Sequence, residues 1–306
     1  MKNSLLYIVT VLIWGSTWLA IEFQLGEVAV EVSIFYRFAI AALIMWAYCL
    51  WKRVPLRFSL RNHGFILLLA LGNFSINYML MYLAQEHLTS AMTSIAFSTM
   101  LLMNIINTRL FFGKRIEPRT YVGACIGVLG IVVLFWNDLQ STNLSASGVL
   151  GLMLVLSGTL VASFGNMVSV RNSNNGLNIL AVNAWGMLYG SAALAMFAIY
   201  QGSEFTISSQ PSYIISLLYL AIFGTVIAFA TYFVLLRDIG PEKASYVIVF
   251  FPIVAVFLSS LFEGFVLTNN IFIGFLMVLL GNLILLTPTE KIARFLSHRR
   301  NRISEH

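Results

Sequence analysis

The sequence predicts an all-α integral membrane protein: ten transmembrane helices arranged as two inverted five-helix repeats, with both termini in the cytoplasm. Three observations predict it. The 306 residues are 59% hydrophobic and only 10% charged, where a soluble chain carries roughly a quarter of its residues as charge. Apolar runs of about 20 residues, the length that crosses the hydrocarbon core of a bilayer, recur from end to end. The lysines and arginines gather in alternate connections, as cytoplasmic loops require.

In chain order the ten runs are about 4–23, 32–51, 64–84, 89–111, 120–137, 148–170, 179–200, 212–236, 243–263 and 270–287. The first follows Lys2 as "LLYIVTVLIWGSTWLAIEF". It is too long for a signal-peptide core and ends in "AIEFQ" without a small-residue cleavage site, so it reads as a retained span. The second, "EVSIFYRFAIAALIMWAYCLW", is almost wholly apolar after its first residue yet carries Arg37. The connections "KRVPLRFSLRNH", "GKRIEPR", "DLQSTNLSAS", "RNSNNGLN", "QGSEFTISSQP" and "RDIGPE" read as interfacial turns. Trp51, Trp136 and Tyr200 near their ends read as interfacial anchors.

With the amino terminus inside, Lys2, Lys52, Arg53, Arg57, Arg61, Lys114, Arg115, Arg119, Arg171, Arg237, Lys243 and the tail residues Lys291, Arg294, Arg299, Arg300 and Arg302 all fall on the cytoplasmic side. The outer loops receive none, and Arg109 sits at the cytoplasmic end of span four. The net charge of +6 is therefore a topology signal rather than a nucleic-acid surface. The tail "EKIARFLSHRRNR" is suited to anionic membrane lipid. Cys49 and Cys125 lie inside apolar runs, with no disulfide framework and no metal-ligand spacing.

The chain also matches itself. "GKRIEPRTYVGACIGVLGIVVLF" lies over "GFVLTNNIFIGFLMVLLGNLILL", pairing Gly113 with Gly264, Gly123 with Gly274 and Gly130 with Gly281. "TSAMTSIAFST" lies over "EKASYVIVFFP", and "IWGSTW" over "SFGNMV". Each half then holds an odd number of crossings, which turns the second half over. The division is 1–137 for the first repeat, 138–147 for an outer linker, 148–287 for the second repeat and 288–306 for the basic tail. Such repeats characterise secondary transporters, whose halves move around a site near the midplane.

"LIWGSTWLAIEF", then "FYRFAIAALIM", then the glycine-spaced fifth and tenth spans resemble the EamA family of the drug/metabolite transporter superfamily, over nearly the whole chain. The resemblance implies export of amino acids or other small metabolites across the bacterial inner membrane. It also implies a central cavity lined by spans 1, 3, 4, 6, 8 and 9, with 5 and 10 peripheral. Two positions depart from the family. Thr99 stands where span four often has proline, leaving Pro252 of span nine without its counterpart, and Lys114 replaces the glutamate usual after span four.

Lipid-facing surfaces have little use for amides or hydroxyls, so polar side chains inside spans face partners or a cavity. Span three offers Asn73, Asn77, Tyr78 and Tyr82, whose four-residue spacings share helix faces. Span one adds the pair Trp14 and Trp18 around Ser16. Span four adds Thr93, Phe97 and Asn104; span six, Ser163 and Asn166; span eight, Thr231 and Tyr232; span nine, Tyr246 and Phe250. Together they read as an aromatic and amide-lined substrate cavity for a zwitterionic or mostly apolar small molecule. Hydrogen bonding between helices is the competing reading of each. Gly123 with Gly127, and Gly186 with Gly190, read as close-packing pairs. Pro252 should kink span nine, as a hinge or as a static bend.

Enzymatic chemistry finds no support. "FFGKRI" lacks the first glycine of a phosphate loop, Thr108 holding that place, so neither a nucleotide site nor an ATPase subunit is implied. The histidines lie in loops or the tail, and no span holds paired carboxylates. No cofactor and no metal are implied, and a monomer is compatible with everything above. Importer, exchanger and multidrug exporter remain alternatives to amino-acid exporter, because nothing legible encodes direction. Arg37 lies about five residues, roughly 8 Å, below the outer end of span two. Glu22 lies at similar depth, so the expectation is an outer gate of Arg37 with Glu22, or an arginine that meets an anionic group of the solute.

Overall fold

The computed structural model describes residues 2–137 and 147–287; the expected linker up to residue 146 and the basic tail lie outside the described residues, while Ser147 opens a helix. Within them the chain forms helical rods and no strands. They are α1 (Lys2–Glu22), α2 (Val30–Trp51), α3 in two halves (Leu60–Phe74 and Ile76–Gln85), α4 in two halves (Ser90–Phe97 and Met100–Phe112) and α5 (Pro118–Leu134). The second half holds α6 (Ser147–Asn174), α7 (Ile179–Gln201), α8, α9 (Tyr246–Phe262) and α10 (Asn269–Leu286). The α8 rod runs as Pro211–Leu218, a π-helical stretch Tyr219–Ile227, and Ala228–Ala244.

Eight of these rods among the described residues are long and apolar enough to cross a bilayer. α5 and α9, at 17 residues each, reach about 26 Å at 1.5 Å per residue, a little under a hydrocarbon core of about 30 Å. Large apolar side chains stand outward, among them Leu43, Leu110, Phe257 and Phe262. A surface of this kind suits lipid rather than water.

The rods begin and end where local chemistry supplies a cap. Ser59, Thr89, Asn178 and Thr268 accept backbone N–H groups at the starts of α3, α4, α7 and α10, satisfying donors that have no partner within the helix. Pro118 and Pro211 open α5 and α8, where their missing N–H costs nothing. Gly113 and Gly202 close α4 and α7 with left-handed φ of 67° and 74°.

Packing pairs each rod with one from the other half. α2 lies on α7 and α5 on α10; α1 lies on α8 and α9, while α6 lies on α3 and α4. The α5–α10 contact is backbone to backbone. A Cβ on Gly123 would stand 2.8 Å from the Gly281 carbonyl oxygen, and one on Gly274 would stand 2.6 Å from that of Gly130. Only residues without a side chain allow this approach.

The interruptions inside rods were not legible from apolar runs. α3 breaks at Ser75 (φ −137°, ψ −87°), and α4 breaks at Ser98 and Thr99. There the hydroxyls of Ser98 and Thr99 donate to the carbonyls of Ile95 and Ala96 at 2.6 and 2.7 Å, competing with the ladder. The break at Thr99 falls where the family often places proline. α9, by contrast, runs as one helix through Pro252.

Candidate functional site

Arg37 lies seven residues, about 10 Å, into α2, and only 1% of its surface is exposed. α2 turns it toward α3 and the π-helical part of α8. Its Nε donates to Thr225 Oγ1 at 3.4 Å. Thr225 is itself fully buried and gives its own proton to the Leu220 carbonyl at 2.8 Å. That bond spans five residues, in keeping with the π-helical turn. The guanidinium carbon stands 4.6 Å from the Tyr78 ring centre and 5.4 Å from that of Phe38. Nη1 has no hydrogen-bond partner. Aromatic faces return about 2 kcal/mol to a desolvated cation, whereas burying an ion costs several kcal/mol, so the rings offset part of the penalty.

The expected partnership with Glu22 does not form. Among the described residues the ion pairs are Glu117 with Arg119 and Asp238 with Arg237, none of them with Arg37. The reason is direction: Glu22 ends α1 within electrostatic range of Glu263, the residue that closes α9. Glu263 accepts from the backbone N–H and the hydroxyl of Ser90 at the start of α4. Arg37 faces α3 and α8 instead.

Beside Arg37 stands Tyr82, an expected cavity residue, and the sequence reading passed over Gln24, Gln85 and Thr225. Tyr82, fully buried, donates to Gln24 Oε1 at 2.8 Å and lies in electrostatic range of Arg37. Gln85 Nε2 donates to the Trp18 carbonyl at 3.0 Å. Gln24 and Gln85 sit at span ends, where polarity looks ordinary. Thr225 was the more findable signal, as a hydroxyl inside the apolar stretch "YLAIFGTVI".

Four predicted cavity residues meet in one amide chain between α3, α4 and α6. Asn73 donates to Asn166 at 3.2 Å and Asn166 to Asn104 at 3.3 Å. Ser163 also donates to Asn104, at 2.8 Å, and receives from Asn107 at 2.8 Å. Asn107 was absent from the prediction. In this arrangement these side chains bond helix to helix. Asn77 is buried with its Oδ1 unpartnered.

The aromatic pair of α1 divides between partners. Trp14 packs on Tyr232 and Phe229 of α8, with ring centres at 5.0 and 5.6 Å. Trp18 packs on Phe97 of α4 and Phe251 of α9, at 5.2 and 5.9 Å. Between them Ser16 shares a 2.6 Å hydrogen bond with Tyr219. Other predicted residues stand apart from this group. Thr93 donates to its own turn at Thr89, and Thr231 accepts from Thr10 at 2.9 Å. Tyr246 reaches Thr287 at 3.3 Å. Phe250 is 39% exposed and edges toward Tyr7. Pro252 is buried inside α9.

A multi-pass membrane protein of helices, with polar groups held at the contact of its halves, is the class this geometry defines. Residues 1–136 and 149–287 match the model of the EamA-like transporter family. The chain belongs to that family, and is thus a membrane transporter. It is similar to the uncharacterized inner membrane transporter YedA of Escherichia coli (strain K12), 30% identical over 255 residues, 81% of this chain and 79% of the relative. The uncharacterized transporter YoaV of Bacillus subtilis is 24% identical, over 88% of this chain and 91% of its own. Protein PagO of Salmonella typhimurium is 24% identical, over 87% of each. A solved crystal structure aligns with a TM-score of 0.67 at 17% identity, over 92% of this chain and 96% of its own, which establishes the likeness of fold.

Proposed function

We propose that this chain is a secondary transporter that carries small metabolites, amino acids first among them, outward across a bacterial inner membrane by alternating access. The observation that carries the reading is the crossed glycine contact of α5 and α10. The sequence repeat pairs Gly123 with Gly274 and Gly130 with Gly281, whereas contact joins Gly123 to Gly281 and Gly130 to Gly274. Partners exchange in this way when an antiparallel pair is related by a two-fold axis. The packing of α1 on α8 and α9 beside that of α6 on α3 and α4 supports the same inverted repeat, and the family match also falls into two stretches. Halves related so can rock about a shared site.

In this reading ten rods span, with both termini in the cytoplasm. The inner face is basic, with Lys52, Arg57, Lys114 and Arg171. The aromatic residues of α1, α4 and α8 and the amides of α3 line the solute path, and Pro252 serves as a hinge. The protein acts without cofactor or ATPase subunit. Export is favoured by the family resemblance, and the inner membrane by the printed name of the Escherichia coli relative. Inside-out membrane vesicles containing the protein, offered labelled amino acids one by one, test the proposal. Accumulation above vesicles lacking the protein supports export. Accumulation only in right-side-out vesicles reverses the direction, and accumulation in neither counts against the reading.

A further inference from the structure

Two buried donors around Arg37 lack a partner. Its Nη1 has no partner, and the amide nitrogen of Gln24, a side chain 1% exposed, has none either. Tyr82 stands between them: its proton goes to Gln24 Oε1, and its oxygen lies in electrostatic range of Arg37. Thr225 Oγ1 takes Nε at a long 3.4 Å, and the Tyr82 oxygen is the other protein acceptor close to the guanidinium. Among the described residues, no carboxylate forms an ion pair with Arg37.

The shape of the place agrees with its charge. Tyr78 and Phe38 support the guanidinium. A ring beneath its plane leaves the in-plane N–H groups to other partners. On the π-helical side stands Gly224, where a Cβ would come 3.8 Å from Nη2 and 2.7 Å from Thr17 Cγ2, so the glycine makes room for Thr17 beside the guanidinium. One positive charge and two buried orphan donors are complementary to a group with one negative charge and two acceptor oxygens. Carboxylates meet arginine in this manner, by paired and charge-assisted hydrogen bonds.

We infer that Arg37 and Gln24, with Thr225 as the contribution of the opposite half, form a subsite that receives the carboxylate of the carried solute. The inference rests on the transport reading for the identity of the ligand as solute, and it adds the group recognised. Tyr78 is a positioning residue here, holding the guanidinium by its ring. Because α2 and α3 belong to one half and Thr225 to the other, a carboxylate bound at this seam bridges both halves.

The test compares acids with amides of the same shape. The probes are L-phenylalanine, L-leucine and L-threonine beside their carboxamides, and 3-phenylpropionate beside 3-phenylpropanamide. The full-length protein is assayed for counterflow of each compound in liposomes and, separately, for thermal stabilisation by each in detergent. Wild-type protein is expected to prefer at least one acid over its amide by about tenfold in exchange, and that acid alone is expected to raise the melting temperature. Arg37→Gln removes the preference, and Arg37→Lys, which keeps charge but not the paired geometry, weakens it. Equal response to acid and amide in wild type overturns the subsite, and exchange of both would leave transport standing. Acid-selective stabilisation lost in Arg37→Gln, without exchange of any compound, supports the subsite and contradicts transport. Neither exchange nor selective stabilisation overturns both. The wild-type comparison requires no variant to fold.

Discussion

Arg37 of α2 donates through Nε to Thr225 of α8 at 3.4 Å, joining residues 188 positions apart and opposite halves of the chain. The threonine is presented by a π-helical turn that it also braces through its bond to Leu220. Thr225→Val keeps the shape and removes the oxygen, leaving a buried guanidinium with one contact fewer. It should destabilise the protein by about 1–3 kcal/mol, read as a lower melting temperature, and slow solute exchange. Thr225→Ser should hold exchange within about twofold of wild type, a small change on the scale where 1.4 kcal/mol is tenfold. A stable and fully active valine variant would remove Thr225 from the seam.

The α5–α10 contact predicts a contrast between two glycines. Gly281→Ala drives a methyl group to 2.7 Å from the Gly123 carbonyl and Gly127 amide. An overpacked contact of that kind costs about 1–3 kcal/mol. Gly127→Ala places its methyl where nothing lies within 4 Å, and gains helix propensity of up to about 1 kcal/mol. Thermal melting in detergent should therefore fall for the first and hold or rise for the second. Equal shifts would contradict the crossed packing.

Asn104 collects two donors, from Ser163 and Asn166. Asn104→Ala strands both, at about 0.5–2 kcal/mol by the measured strength of hydrogen bonds between membrane helices. The melting temperature should drop, with transport per folded molecule retained. If transport disappears while melting is unchanged, Asn104 contacts solute rather than its neighbouring helices.

Pro252→Ala restores a backbone donor inside α9. A hinge there should lose exchange rate while melting stays level or rises. An unchanged rate would make the proline a static feature.

Apolar run length made the membrane class and the succession of helices legible, because crossing lipid demands it. The spaced glycines marked α5 and α10 as alike in sequence, though not which of their glycines touch. Contact pairs Gly123 with Gly281, which appears only when α5 and α10 come together. Arg37 could be singled out, since a cation in an apolar run is conspicuous, whereas its partner was misassigned. Depth suggested Glu22, but rotation about the helix axes turns Arg37 to Thr225 and Tyr78, and a rotation is not written in a run of apolar residues. Asn73, Asn104, Ser163 and Asn166 were recognised as interior. That they bond one another depends on the approach of α3, α4 and α6, where a Cβ on Gly72 would stand 2.9 Å from the Gly165 Cα. The break at Thr99 was hidden for a like reason: the hydroxyl-to-backbone bonds of Ser98 and Thr99 interrupt a helix without changing its hydropathy.

The central claim is that this chain alone moves solute by exchange. Counterflow in liposomes containing only the purified protein tests it most directly, with each labelled amino acid outside and the same unlabelled compound inside. Transient accumulation of at least one label, absent from protein-free liposomes and dependent on the internal unlabelled solute, is the predicted result. Folded protein, verified by its melting transition, that exchanges no amino acid and no other small metabolite would contradict the claim.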